Sequence, residues 1–156
     1  MLTIISGGQT GADRAALDAW HKLGFPTGGH APKGYRTDNG PAPALAALGL
    51  VETDDPEYKY RTILNVEMAD ATLIFGRPSP GSNLTLEACK VRNKPYEWLA
   101  FPPNHPTTTQ IDIALALIHV NNVKVLNVAG NREAKNPGIY RYVSGFITRL
   151  GRELSK

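Results

Sequence analysis

Short apolar runs alternate with helical patterns along most of the chain. Four runs are typical of buried strands, at residues 2–6, 71–75, 96–100 and 123–130. Between and after them, apolar residues recur every three or four positions. This period predicts amphipathic helices at residues 13–23, 58–69, 83–91, 108–120 and 137–154. A further short strand is predicted within residues 25–32.

This alternation of strands and helices predicts the fold class. Right-handed crossovers between successive strands produce a mainly parallel sheet that is covered by helices on both faces. A chain of 156 residues fits one such unit. We therefore predict a single α/β domain over residues 1–156, with its ligand site at the carboxyl ends of the strands.

One segment, residues 28–56, departs from the alternation. It is rich in Gly and Pro, which argues against a continuous helix or strand, and it is too long for an ordinary connection. Long loops of this kind are usually either functional or disordered. We expect its Lys33, Arg36 and Asp38 to form a lid over the site.

Composition narrows the classes of partner. The net charge is only +3, and the basic residues are scattered, which favours a small anionic ligand over nucleic acid. No apolar run reaches the roughly 20 residues of a membrane span, and no leader pattern opens the chain, so we expect a cytoplasmic protein without membrane contact. The single cysteine and the spacing of the four histidines predict no disulfide framework and no metal site.

The first strand-to-helix junction is SGGQTGAD, at residues 6–13. It matches neither the Walker pattern nor the GxGxxG pattern, although its position suits a ligand-binding turn built on Gly7, Gly8 and Gly11. Thr10 and Asp13 have the spacing of a capping box, which predicts Thr10 as the N-cap. In that case Asp13 competes with a phosphate for the helix end and suits a ribose hydroxyl or a cation better.

The second junction, GRPSPGSNLTLEA at residues 76–88, has no acidic residue before Glu87. With Ser82 or Asn83 as the cap, the helix end stays open to an anion. We therefore predict the phosphate seat at Gly81 to Thr85, formed by backbone amides and two hydroxyl groups. The alternative is an ordinary surface turn stiffened by prolines.

The third junction, NVAGNREAKNPGIY at residues 127–140, carries Arg132 just before a helix start at Asn136 and Pro137. Loops that follow parallel strands emerge at the same edge of the sheet. We therefore expect Arg132 to converge with Lys33 and Arg36 on the ligand.

Five separated motifs, in this order, carry a family resemblance: SGGQTGADRAALD, APKGYRTDNGP, YRTILNVEMADATLIF, GSNLTLEA and LNVAGNREAKNPGIY. Together they resemble the molybdenum carrier family, a circularly permuted branch of the SLOG superfamily. The resemblance covers nearly the whole chain. It implies a Rossmann-like three-layer sandwich, a homo-oligomer (dimer or tetramer), and binding of the molybdenum cofactor (molybdopterin) or of a nucleotide-derived ligand.

The same superfamily contains the lysine-decarboxylase-like phosphoribohydrolases, which carry an arginine before a DA strand and a PGGxGTxxE loop after it. Arg61 stands at the position of that arginine. The loop PGSNLTLE is similar, but Glu87 falls two residues beyond the expected carboxylate. Two helical residues differ by about 200° in projection, so Glu87 cannot replace a carboxylate at Thr85 without a changed loop.

Two functions follow from these observations. The first is a protein that binds a phosphate-containing, nucleotide-like ligand such as the molybdenum cofactor, with Arg61 or Lys33 offsetting the charge of the phosphate. The alternative is a nucleoside-monophosphate phosphoribohydrolase, with Arg61 holding substrate and Asp13 or Glu87 supplying the carboxylate. The residues predicted to bind the ligand are Gly7, Gly8, Thr10, Gly11, Asp13, Lys33, Arg36, Gly81, Ser82, Asn83, Thr85 and Arg132.

Overall fold

The computed structural model describes residues 1–156 as alternating strands and helices. The strands are β1 Thr3–Ile5, β2 Thr27–Ala31, β3 Arg36–Thr37, β4 Gly40–Pro41, β5 Leu50–Glu52, β6 Ala71–Phe75, β7 Tyr96–Leu99 and β8 Val125–Gly130. The helices are α1 Ala12–Lys22, α2 Tyr58–Met68, α3 Pro80–Val91, α4 Thr107–Val120 and α5 Ile139–Leu154. None of these helices is long and apolar enough to cross a membrane.

Six strands form one sheet in the order β5-β2-β1-β8-β6-β7. Every neighbouring pair in it is parallel. Helices α1, α4 and α5 pack over one face, and α2 and α3 pack over the other. The predicted Rossmann-like three-layer sandwich is therefore confirmed, and the carboxyl ends of all six strands meet at one edge.

The long Gly- and Pro-rich segment holds more regular structure than its composition indicated. Strand β5 pairs with β2 as an edge strand, and β3 and β4 form a small antiparallel hairpin, residues 36–41, outside the main sheet. The segment also contains two 3₁₀ turns, Lys33–Tyr35 and Pro43–Leu48. These elements are only two to six residues long, and Gly and Pro recur between and within them, so they produce no periodic signal in the sequence.

The main core lies between the sheet and the α1/α5 layer. Phe75 of β6 meets Phe146 of α5 edge-on, with 5.0 Å between the ring centroids. Trp20 is 2% exposed and donates its indole N–H to the Leu2 carbonyl at 3.1 Å. At Gly151 the helices approach closely, because an added Cβ would lie 3.0 Å from the Trp20 ring.

Substitutions at two glycines of α5 should have opposite effects on stability. At Gly145 an added Cβ meets nothing within 4 Å, so Gly145→Ala should raise the free energy of unfolding by about 1 kcal/mol through helix propensity. Gly151→Val should lower it by about 1–3 kcal/mol, because the side chain overpacks the contact with Trp20. Urea unfolding measures both, and equal effects of the two substitutions would contradict the close packing at Gly151.

Asp70, the residue before β6, links the starts of β6 and β8. Its carboxylate accepts the N–H groups of Lys124 and Val125 at 2.8 and 2.9 Å. These two hydrogen bonds lower the pKa of the Asp70 carboxyl. A carboxyl with a lowered folded-state pKa stabilises the fold above its unfolded value of about 3.9, and this contribution is lost as the pH falls through the folded value. Asp70→Asn should therefore reduce stability at pH 7, and the reduction should shrink as the pH falls below about 4. Urea unfolding over a series of pH values measures this trend.

Candidate functional site

Three of the loops at the carboxyl edge of the sheet are tied together by Asn131, which follows β8. Its side-chain amide accepts the Arg77 N–H at 2.7 Å and donates to the Arg77 carbonyl at 3.0 Å, in the loop after β6. Its backbone carbonyl accepts the Ala12 N–H at the start of α1 at 3.2 Å. The junctions after β1, β6 and β8 therefore form one connected rim, as their parallel strands predicted.

The SGGQTGAD loop uses much of its hydrogen-bonding capacity internally. The Gln9 side-chain oxygen accepts the Thr10 N–H at 2.9 Å, and the Asp13 carboxylate accepts the Gln9 N–H at 3.3 Å. The expectation that Thr10 caps α1 is wrong: Gly11 is the N-cap residue, and no side chain caps this helix. Asp13 is therefore not part of a capping box, and its carboxylate instead accepts the N–H of Gln9 within the loop.

Asp13 forms a buried ion pair with Arg61 of α2. The Arg61 Nη1 lies 2.9 Å from the Asp13 Oδ2, and the two side chains are 12% and 4% exposed. Burial raises the pKa of the Asp13 carboxyl, while Arg61 and the Gln9 N–H oppose this rise. This pair joins α1 and α2, which lie on opposite faces of the sheet, across the end of β1.

Gly7 is required by the position of the Arg61 guanidinium. A Cβ added at Gly7 would lie 1.8 Å from Nη1 and 2.5 Å from Cζ of Arg61. A larger residue at position 7 would therefore require the Arg61 guanidinium to shift from its place beside Asp13. The first glycine of the loop therefore provides space for a side chain from α2.

Three guanidinium groups gather around the ring of Tyr58 in the first turn of α2. The Cζ atoms of Arg36, Arg61 and Arg132 lie 4.6, 5.4 and 5.5 Å from the ring centroid. We call these three arginines and Tyr58 the arginine cluster. Arg61 is at its buried base, while Arg132 is 42% exposed and Arg36 is also exposed. Arginine faces stack favourably on aromatic rings, but three like charges in one place repel one another.

The β3–β4 hairpin supplies one wall of the site. The Asp38 backbone N–H donates to the Gln9 side-chain oxygen at 2.9 Å, and the Asp38 carboxylate pairs with Arg132 at 3.0 Å. A cavity of about 290 Å³ lies between this hairpin, the glycine loop and the start of α5. It is lined by Gly8, Thr10, Gly11, Arg14, Thr37, Asn39, Pro41, Ala42, Glu133 and Tyr140.

Four buried side-chain atoms have no hydrogen-bond partner, and all belong to this region. They are Gln9 Nε2, Thr10 Oγ1, His30 Nδ1 and Arg61 Nε. Gln9 and Thr10 follow β1, His30 is the penultimate residue of β2, and Arg61 lies one turn into α2. Asn65 of α2 bonds to both the N–H and the carbonyl of His30, at 2.8 and 3.1 Å, which packs α2 against this end of β2.

The second junction is closed by its own cap. The expectation that Ser82 or Asn83 caps α3 is wrong: Ser79 is the N-cap, and it forms a reciprocal capping box with Ser82. The Ser82 hydroxyl donates to the Arg77 carbonyl at 3.1 Å, and the Thr85 hydroxyl donates to the Gly81 carbonyl at 3.3 Å. Gly81 and Asn83 are exposed. The role of Gly81, Ser82, Asn83 and Thr85 as a phosphate seat stays a prediction.

The remaining candidates form no ion pair and no cation–π contact with the arginine cluster. Lys33 is exposed, and its backbone N–H bonds to the Asp55 carbonyl at 3.0 Å. Glu87 is exposed on α3 and forms no ion pair, and the carboxylate partner of Arg61 is Asp13. No group of three or more His, Cys, Asp or Glu side chains is arranged to hold a metal ion.

Sequence reasoning overlooked Tyr58 and Gln9. A signal for Tyr58 was available, because it precedes Arg61 by three residues and therefore lies on the same face of α2. Gln9 has no such local signal. Its side chain bridges the glycine loop and the hairpin, and that contact joins residues 29 positions apart.

The Asp13–Arg61 pair predicts a strong coupling between two substitutions. Arg61→Met should lower the free energy of unfolding by about 3–5 kcal/mol at pH 7, because it leaves a buried carboxylate without a counter-charge. Adding Asp13→Asn should restore most of this loss, since the isolated charge is removed with its partner. Urea unfolding of the two single variants and the double variant measures the coupling, and additive effects would contradict the pairing.

Comparison with known proteins identifies relatives of the whole fold. A crystal structure from Syntrophus aciditrophicus, named "putative molybdenum carrier protein", superposes with a TM-score of 0.89 at 34% identity, over 96% of this chain and 94% of that chain. No curated protein sequence matches the chain. The model of the circularly permuted YpsA SLOG family matches residues 4–150. The chain therefore belongs to the circularly permuted YpsA SLOG family, as its five motifs predicted.

Proposed function

We propose that this protein binds a phosphate-containing, nucleotide-like ligand whose phosphate sits on the arginine cluster. The observation that carries the proposal is the gathering of three guanidinium groups around Tyr58, with unpartnered buried atoms on Arg61 itself and on Gln9 and Thr10 of the adjoining glycine loop. Buried polar groups are nearly always hydrogen-bonded in folded proteins. Unbonded polar atoms beside concentrated positive charge are typical of a binding site for an anion.

The arginine cluster suits a phosphate better than the second junction does. Arginine binds phosphate through paired, charge-assisted hydrogen bonds. At the second junction the Ser82 and Thr85 hydroxyls already donate to backbone carbonyls, and the Ser79 hydroxyl accepts the Ser82 N–H at 3.1 Å. A phosphate there would have to displace bonds that already satisfy the helix end.

The adjoining cavity is the proposed site for the uncharged part of the ligand. Its lining combines the backbone of Gly8 and Gly11 with the polar groups of Thr10 and Asn39. The Thr10 hydroxyl is buried and has no hydrogen-bond partner in the protein, so it can form a hydrogen bond with a sugar or with the edge of a heterocycle. The glycine loop then forms the wall between the phosphate and the rest of the ligand.

The molybdenum cofactor fits this description as cargo. It is a pterin dithiolene that carries a phosphate, and its metal is held by the dithiolene sulfurs, so the protein needs no metal-binding side chains. Arg36, Arg61 and Arg132 would hold the phosphate, and the cavity would receive the pterin edge. We also propose that the protein is cytoplasmic and forms a homo-oligomer, dimer or tetramer. The exposed apolar side chains of Tyr60, Leu64 and Met68 along α2 support the proposed assembly.

The proposal predicts that AMP and other phosphate-bearing ligands bind through the exposed arginines. Arg36→Gln and Arg132→Gln should each weaken AMP binding by about tenfold, because each removes a charge-assisted contact to the phosphate. Isothermal titration calorimetry measures the affinity, and the screen should include ATP, molybdate, tungstate and the isolated molybdenum cofactor.

Arg149→Gln is the matched control, because it removes the same charge from an exposed position on α5. Binding that survives both cluster substitutions but is lost in Ser82→Ala would move the phosphate to the second junction and contradict the proposal.

A second candidate function, hydrolysis of an N-glycosidic bond, is favoured by one observation. The buried Asp13 carboxyl has a raised pKa and lies beside the arginine cluster, which suits a group that stabilises an oxocarbenium ion or activates water. Incubating the protein with AMP and measuring free adenine by chromatography tests it. We expect binding without release of base, and release that is lost in Asp13→Asn would establish the enzyme instead.

A further inference from the structure

We propose that the group bound at the arginine cluster is a phosphate with two negative charges, and that the Asp38 carboxylate occupies its place until the ligand arrives. This inference rests on the proposed function and deepens it. It assigns a charge to the ligand and a competing role to one side chain of the hairpin.

We infer the charge of the ligand from the number of guanidinium and carboxylate groups in the cluster. Three guanidinium groups surround Tyr58, and two carboxylates, Asp13 and Asp38, pair with two of them. The cluster therefore carries one net positive charge when both carboxylates are in place. If one carboxylate leaves, the net charge becomes two, which matches a phosphate dianion.

Asp38 is the carboxylate that can leave. The Asp13 side chain is 4% exposed and accepts hydrogen bonds from both Arg61 and the Gln9 backbone, so it belongs to the folded core of the site. The Asp38 side chain is 23% exposed, and Arg132 is its ion-pair partner. Exposed ion pairs contribute little to stability, so an incoming anion can displace this one at small cost.

The backbone of the hairpin can stay in place during this exchange. The Asp38 N–H is held by the Gln9 side chain, and this bond does not involve the carboxylate. Rotation of the Asp38 side chain therefore frees Arg132 without opening the hairpin. Arg36, on the preceding strand β3, has no carboxylate partner and is available to the same anion.

Two kinds of phosphate group carry two charges near pH 7. A terminal phosphate ester carries about −1.5 to −2, and an internal diphosphate carries one charge on each phosphate. A single phosphodiester carries only one charge and leaves the cluster unbalanced. The cluster should therefore select dianionic phosphates, of either kind, over monoanionic ones.

Asp38→Asn tests the inference, because it removes the competing charge and keeps the size of the side chain and the N–H bonded to Gln9. Three probes without a base separate the ligand classes: methyl phosphate, dimethyl diphosphate esterified at both ends, and dimethyl phosphate. Their affinities can be measured by NMR titration of ¹⁵N-labelled protein, following the amides of the hairpin and of the first turn of α2. We expect Asp38→Asn to tighten the binding of methyl phosphate by about two- to fivefold, the range of a displaced surface ion pair.

Two control variants isolate the effect of the charge. Asp112→Asn removes one negative charge from an exposed position on α4 and should leave the affinity unchanged. Asp38→Glu keeps the competing carboxylate and should bind methyl phosphate about as weakly as the unaltered chain. If Asp38→Glu tightens binding as much as Asp38→Asn does, loosening of the hairpin explains the effect and the inference is wrong.

The remaining outcomes distinguish this inference from the proposed function. Methyl phosphate that binds at the cluster with the same affinity in the unaltered chain and in Asp38→Asn would overturn the role of Asp38 and leave the proposed site intact. Dimethyl phosphate binding as tightly as methyl phosphate would overturn the selection for two charges. Whichever of methyl phosphate and the diphosphate binds more tightly identifies the source of those charges. Failure of all three probes to perturb these amides would overturn both proposals.

Discussion

The ion pair between Arg61 and Asp13 is the interaction on which the candidate site depends. It links α2, on one face of the sheet, to the first turn of α1, on the other. The guanidinium reaches the carboxylate by passing over Gly7, where a side chain would collide with it. The ion pair, the glycine and the course of the loop therefore require one another, and a buried charge of either sign without its partner would be costly.

From this base the arrangement of the other charges follows. Tyr58 precedes Arg61 by one helical turn and offers its ring to two more arginines, from the β3–β4 hairpin and from the loop after β8. The ring and two carboxylates hold together three cations that would otherwise repel one another. Such a concentration of positive charge at the carboxyl edge of a parallel sheet is suited to an anion more than to the stability of the fold.

The glycine-rich junctions contribute in a different way from a standard phosphate-binding loop. In such loops the free backbone N–H groups at a helix start bind the anion. Here the Ser79 hydroxyl caps α3, and the side chains of Gln9 and Asp13 take up N–H groups of the first loop. Side chains from distant parts of the chain thus supply the positive charge, and the glycines supply the space in which those side chains meet. A family that keeps the loops and varies the charged residues around them can change its ligand without changing its fold.

The chain's own pattern determined the fold class and most of the elements. Apolar runs and helical periods depend on residues close in sequence, so β1, β2, β6, β7 and β8 and all five helices were predictable, as was the edge where their loops meet. The five family motifs identified the family for the same reason, since each is local. Arg36, Arg132 and Asp13 were also recognised as candidates, because charged residues in or beside glycine-rich segments are conspicuous. Arg61 was recognised through the family resemblance, since it precedes the DA strand at the expected spacing.

Only the tertiary structure decided which of these residues meet. The partner of Arg61 is 48 positions away, and Arg132 and Asp38 are separated by 94 positions. Local patterns carry no information on such contacts, because strand order and the course of the long segment after β2 determine them. The cap of α3 was missed for a different reason, since it is local: Ser79 stands before Pro80 at the first helical position and forms a capping box with Ser82 three residues on. Sequence determined the parts of the site, and packing across the sheet determined the pairs of charges within it.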